Sequence, residues 1–277
     1  MSANSELSIN VHVAPMRGFV TSAAPPAGIR AMWSPLCSTL IAGERDAILV
    51  DTTITYDQVD RLADWVERFG KQVAGVVITR GHSDHWIGLA RLQERFPHAR
   101  FEATEEGMRA YWRGLFPGEI PEVPVPPELF DGDSIDLGGH ELRVIDIGQG
   151  DIEHSTIVRV PSLRAVAAGD VVYNVVYNKV HMLTALTDAT AREAWIASIG
   201  SIAALDPDIV VAGHKRVGAP DSRDAIEQSE QYLRDFSRIA AESDTAEQTV
   251  AAMLELHGDR DNPYTLWASA QAAARRD

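Results

Sequence analysis

Cysteine is almost absent from this chain of 277 residues; Cys37 stands alone. One thiol cannot close a bridge within its own chain, so a disulfide framework is excluded and a reducing compartment is expected. Basic residues are also scarce, 25 Lys and Arg against 40 Asp and Glu, which leaves a net charge of −15. Phosphate contacts need a basic surface, so neither nucleic acid nor an anionic membrane is expected as a partner. No run approaches the ~18 consecutive apolar residues of a membrane span. The opening residues, Met1-Ser2-Ala3-Asn4-Ser5-Glu6-Leu7, show neither a basic leader nor an apolar core. A soluble, cytoplasmic protein with no export signal is therefore expected. Repeats of fixed period and low-complexity stretches are lacking as well.

What is present fits a layered α/β protein. Ile9–Val13 alternates apolar and polar residues as a half-buried strand does. Pro15 to Pro26 reads as a loop with an apolar tip at Phe19-Val20. Cys37–Ile41 and Ala47–Val50 read as antiparallel strands joined by the turn Gly43-Glu44-Arg45-Asp46. Val59, Leu62, Val66 and Phe69 follow helical spacing, with Gly70 as the stop. A buried strand over 73–78, a helix from Trp86 to Phe96, a short strand over 100–103 and a helix over 105–115 follow. Pro117, Pro121, Pro124, Pro126 and Pro127 exclude regular structure between them, and the stretch reads as a crossover between two halves of one fold.

The second half repeats the grammar. Strands are expected over 134–137, 141–147, 156–160, 164–168 and 208–212, with a helix over 189–205. Helices over 225–241, 245–256 and 264–274 close the chain. The expected organisation is one domain over 1–277, with a core at about 8–220 and a helical extension at about 221–277 that packs on the core or forms a homodimer face.

Chemistry gathers at Thr79-Arg80-Gly81-His82-Ser83-Asp84-His85-Trp86, on a strand-to-helix loop. Two imidazoles and a carboxylate within four residues can converge on one divalent cation. Three further ligand types lie where strands end or begin, His154, Asp170 and His214. Functional groups of α/β sheets collect at the carboxyl ends of strands, so these placements agree with one another. Glycine before Asp170 and before His214 lets the backbone turn sharply out of each strand.

This ordered set resembles the metallo-β-lactamase superfamily, whose signature is Thr-His-x-His-x-Asp-His followed by a His, a bridging Asp and a final His. Asp51, in Val-Asp-Thr at a strand end, matches the structural Asp of that pattern. The resemblance implies a four-layer αβ/βα sandwich and a metal-bound water as nucleophile, usually for hydrolysis of a lactam, lactone, thioester or phosphoester. For this chain a small ester, lactone, thioester or amide is expected, cleaved by a zinc-activated water. The family's first metal site would use positions 80, 82 and 154; its second would use Asp84, His85 and His214, with Asp170 shared.

The chain departs from that pattern at Arg80, where the family has its first His. A guanidinium stays protonated and has no lone pair to donate. The expectation is therefore one Zn²⁺ at the second site, as in the single-zinc carbapenem-hydrolysing subclass, and two only if Arg80 swings aside. His82 and His154 would then be free to act as general bases. Arg80 either polarises a carbonyl or holds a substrate carboxylate, or it merely pairs with Asp51 or Asp170.

A small-molecule substrate is expected against Phe19, Met32, Trp33, Trp86, Tyr173 and Tyr177, with His181 and Lys215 as polar contacts, although core packing suits Trp33 and Trp86 equally. Two other readings remain: a non-hydrolytic lyase on the same metal site, and a metal-free binding protein.

Overall fold

Alternation along the strands decides the layers. In the computed structural model, residues 7–21, 25–102, 115–121, 132–173 and 180–275 are described. The first sheet holds β1 (Ser8–Ala14), β4 (Leu36–Ala42), β5 (Asp46–Val50), β6 (Gln72–Val77) and β7 (Arg100–Glu102) in the order β1-β4-β5-β6-β7. The second holds β8 (Ser134–Leu137), β9 (His140–Gly148), β10 (Ser155–Val160), β11 (Ala165–Gly169) and β12 (Ile209–Ala212) in the order β12-β11-β10-β9-β8. Ile41, Ile48, Val50 and Val77 of the first sheet pack against Leu142, Val158, Val160 and Ala167 of the second. Their neighbours along the same strands, Leu40, Ala47, Leu49 and Val76, turn the other way onto α1 (Tyr56–Glu67) and α2 (Leu89–Arg95). Val166 and Val210 of the second sheet face α3 (Ala189–Ala204) through Trp195, Ile199 and Ile202. The four-layer αβ/βα sandwich expected from the resemblance is thus the fold observed. Both faces of the central strands are buried, which explains their nearly unbroken apolar runs.

Antiparallel pairing joins β4 to β5 through the expected turn, while β5–β6, β6–β7 and β11–β12 are parallel. Parallel neighbours need a crossover, and α1, α2 and α3 supply it. The loops that leave β5, β6, β11 and β12 therefore emerge at one rim. The C-terminal helices α4 (Asp224–Glu242), α5 (Ala246–His257) and α6 (Pro263–Ala274) extend the layer of α3, with Tyr232, Leu233, Phe236, Met253 and Leu266 in one buried cluster.

Two elements differ from expectation. The helix after the His loop begins at Leu89 rather than Trp86, because Ser83–His85 forms a 3-10 turn first. Gly88 sits so close to the Thr53 carbonyl that a Cβ would collide with it. A small ribbon, β2 (Arg17–Gly18) with β3 (Met32–Trp33), is too short to carry a sequence pattern. The expected helix over 105–115 lies, apart from Leu115, outside the described residues. The proline-rich stretch from 122 to 127 and Tyr177 also lie outside them. No helix among the described residues is long and apolar enough to cross a membrane.

Candidate metal centre

Asp51 leaves β5 with φ 60° and turns its carboxylate beneath the loop after β6. There it accepts hydrogen bonds from the Thr79 backbone N–H and hydroxyl, both at 2.8 Å. Its second oxygen also faces His85 Nδ1 at 2.9 Å. On the far side, His214 Nδ1 lies 2.6 Å from the Pro35 carbonyl oxygen. A carbonyl can only accept, so the proton sits on Nδ1 and the lone pair of neutral His214 is on Nε2. In both imidazoles one nitrogen is held by a neighbour and the other is turned inward, the arrangement that orients a metal-ligating histidine.

The inward atoms meet carboxylates. His214 Nε2 stands 3.0 Å from Asp170 Oδ2 and 3.7 Å from Asp84 Oδ2. His85 Nε2 stands 3.4 Å from Asp170 Oδ1 and 3.9 Å from Asp84 Oδ1. Asp84 Oδ1, His85 Nε2 and Asp170 Oδ1 are buried and make no hydrogen bond. Lone pairs facing carboxylates in a buried place require a shared proton or a cation between them. Burial opposes charge on His85 and His214, yet Asp170 and its neighbours outweigh it and raise both pKa values. Burial likewise opposes charge on Asp170, but Arg80, His214 and His85 hold its carboxyl well below the usual range. Atoms of Asp84, His85 and His214 lie within 4.8 Å of one another. This nitrogen and oxygen set fits zinc or another borderline dication.

Backbone geometry admits the bridging carboxylate. Gly169 has φ 50° and ends β11 so that Asp170 turns into the site. A Cβ on Gly213 would collide with the Asp170 carboxylate. Tyr173 donates to Asp170 Oδ2 at 3.2 Å, and Trp33 Nε1 donates to Asp84 Oδ2 at 3.2 Å.

Arg80 occupies the other half of the site. Its guanidinium pairs with Asp151 and, at 2.9 Å, with Asp170 Oδ2, and both carboxylates are fully buried. Burial alone would discourage its charge; Asp151 and Asp170 reverse that and raise its pKa. Burial raises the Asp151 pKa, against the pull of Arg80. His82 Nδ1 lies 3.3 Å from Asp84 Oδ1 and 3.6 Å from Asp151 Oδ2. His82, Asp151 and Asp170 also have atoms within 4.8 Å of one another. The guanidinium, however, spans two of these three groups, Asp151 and Asp170, where a second cation would have to sit.

Several expectations need correction. His154 is not in the cluster: it sits at φ 57° with a side chain 85% exposed, and its Nδ1 lies 3.7 Å from Asp146 Oδ2. Asp151, three residues earlier, is the buried group in that loop. Of the two partners expected for Arg80, Asp170 is present and Asp151 takes the place of Asp51. Trp86 belongs to the core beneath α2, its Nε1 donating to the Gly81 carbonyl at 3.0 Å. Lys215 is buried and bound to Asp221 at 2.5 Å, so it offers nothing to a cleft ligand. His181 faces the C-terminal helices, with Nδ1 3.1 Å from the Tyr232 hydroxyl, and burial pulls its pKa down to about 3.

Phe19, Met32, Trp33 and Tyr173 do line a cavity of about 400 Å³ whose floor includes His82, Asp84 and His214. Leu183, Leu186, Tyr264 and Ala268 also contribute to its walls. Sequence reasoning missed Tyr264 and Ala268 because α6 offers no periodicity that separates a cavity wall from core, and Leu183 and Leu186 because they lie in an irregular segment before α3. Asp151 did leave one signal: an arginine at a ligand position, once buried, requires a carboxylate partner.

Comparison with known proteins agrees with the fold. Residues 37–214 match the sequence model of the metallo-β-lactamase superfamily. A hydroxyacylglutathione hydrolase of Ruegeria pomeroyi is 27% identical over 151 residues, 54% of this chain and 51% of that protein. The chain thus aligns with about half the length of this curated relative. A metallo-β-lactamase family protein of Thermus thermophilus superposes with a TM-score of 0.60 at 19% identity, covering 96% of this chain and 91% of that one. A metallo-β-lactamase of Pseudomonas aeruginosa, solved in a mono-zinc form, gives 0.57 at 20% identity over 83% of this chain and 92% of that one.

Proposed function

The chain belongs to the metallo-β-lactamase superfamily, and from that premise we propose that it is a single-metal hydrolase of a small ester, lactone, thioester or amide. The observation that carries the reading is the Arg80 guanidinium against Asp151 and Asp170. It fixes one positive charge where a second metal ion would bind. Asp84, His85 and His214 would hold the remaining ion, with Asp170 beside them. A dication there supplies Lewis acidity and a nucleophile drawn from water at neutral pH.

The chain's own residues do the rest. Asp51 and the Pro35 carbonyl hold the two imidazole rings in orientation. Arg80 and Tyr173 fix Asp170 from two sides. Arg80 stays protonated throughout and, between Asp151 and Asp170, holds the bridging carboxylate in place. His82 lies on the cavity floor, and burial lowers its pKa, so at neutral pH its imidazole is uncharged and able to accept a proton. The aromatic and aliphatic walls keep water away from the reacting bond.

Thioesters are the first class to try, because the Ruegeria relative is named for one. Chelation is expected to abolish hydrolysis of at least one class in a panel of thioesters, lactones, esters and amides. One equivalent of zinc should restore it, and a second equivalent should add nothing. Metal-loaded protein that hydrolyses no member of the panel would count against the reading and favour a lyase or a binding protein.

A further inference from the structure

We infer that the substrate is an uncharged molecule whose larger part is apolar, an inference that rests on the proposed function for the bond cleaved but on the cavity walls for the class. Among the described residues, no lysine or arginine lines the cavity. The cations near it are engaged elsewhere. Arg80 is 1% exposed between its two carboxylates, and Lys215 is bound to Asp221. On the floor, the carboxylates of Asp84 and of Asp170 beside it would match the charge of a dication held there, and the chain as a whole carries −15. A substrate carboxylate entering the cavity would lose its water and meet no counter-charge on the described walls and no net positive charge on the floor, so its desolvation is poorly offset.

What polar character the walls have is neutral. Ser34 and Thr265 line the cavity 3.4 Å apart, and Asn262 Nδ2 donates to both, at 2.9 Å and 2.8 Å. Both amide protons are thereby used, and the two hydroxyls keep their own. At most one of those hydroxyl protons is taken up between the pair, so the other remains for an uncharged acceptor such as a carbonyl or an ether. The remaining walls, Phe19, Trp33, Leu183 and Tyr264 among them, give affinity by area alone. A cavity of about 400 Å³ lies within the usual range for a small-molecule site. Each methylene added to the substrate should strengthen binding about fourfold until the space is filled.

A matched pair of thiols separates charge from chemistry. Octanoyl N-acetylcysteamine is neutral, and octanoylglutathione carries the same thioester on an anionic peptide. Their S-octyl thioethers lack the thioester bond and read the cavity by binding. Calorimetry on metal-loaded protein should show the neutral thioether binding at least about tenfold more tightly than the glutathione thioether. Leu186→Lys, at the exposed rim, should narrow that gap by about threefold by adding the missing cation. Equal or tighter binding of the glutathione thioether would overturn the inference, and so would binding of neither. Hydrolysis of the two thioesters is followed separately. Selective thioether binding without any turnover would leave the substrate class standing and remove the hydrolase reading.

Discussion

Arg80→Met is expected to destabilise the protein by about 3–5 kcal/mol, because it leaves Asp151 buried without its cation. The Arg80 and Asp151 side chains are at most 1% exposed, so solvent does little to screen the pair. Asp151 would meet the loss by taking up a proton, which limits the cost but does not cancel it. Arg80→Lys should fall between the two, since an ammonium keeps the charge but cannot span Asp151 and Asp170 as a fork. The informative variant is the double one, Arg80→Met with Asp151→Leu. It removes the charge and its counter-charge together, and apolar replacement of a whole buried pair is often close to neutral. Urea unfolding should therefore find the double variant more stable than Arg80→Met alone, a coupling that simple addition would not give. Additive losses, or a loss below about 1 kcal/mol for Arg80→Met, would mean that the pair is not the structural substitute for a second metal.

His214→Ala and Asp84→Ala should each reduce kcat/KM by at least about 10³-fold, beyond the 10²–10³ that loss of a single oxyanion donor costs. Each removes one of the few donors that converge on the proposed metal position. His214→Ala also leaves the Pro35 carbonyl without the ring that hydrogen-bonds to it. Metal content measured on the same preparations should fall with activity, while far-UV circular dichroism stays that of the parent. His154→Ala is the internal control. The sequence pattern makes it a ligand; its exposed side chain predicts unchanged metal content and turnover. An inactive His154→Ala with Asp151→Asn fully active would reverse the assignment of that loop.

Most strands and helices were legible because their apolar residues keep a period. The strand at 134–137 and the helix from 189 agree with expectation almost residue for residue, since each buries one face or both against a layer of known kind. The site was legible where it depends on chain order, as for the cluster after β6 and the groups that end β11 and β12. It was not legible where a loop decides which side chain turns inward. His154 and Asp151 lie in the same short loop, and sequence favours the imidazole because histidine is the commoner ligand. The chain settles it by the charge of Arg80, which calls for a carboxylate, and by a backbone that leaves β9 and enters β10 with His154 at positive φ. Trp86 failed for a related reason: its position beside the cluster pointed to the cleft, while a carbonyl at Gly81 and the core under α2 hold it.

The central claim is that one positive side chain stands where a second metal would be. Elemental analysis of protein purified without added metal or chelator tests it most directly, run beside the variant carrying Arg80→His and Asp151→His. About one zinc per chain is predicted for the parent and about two for the variant, whose three imidazoles with His82 would restore a tridentate nitrogen site. Two ions per chain in the parent would contradict the account, because Arg80 would then have to leave Asp151 and Asp170 to admit the second.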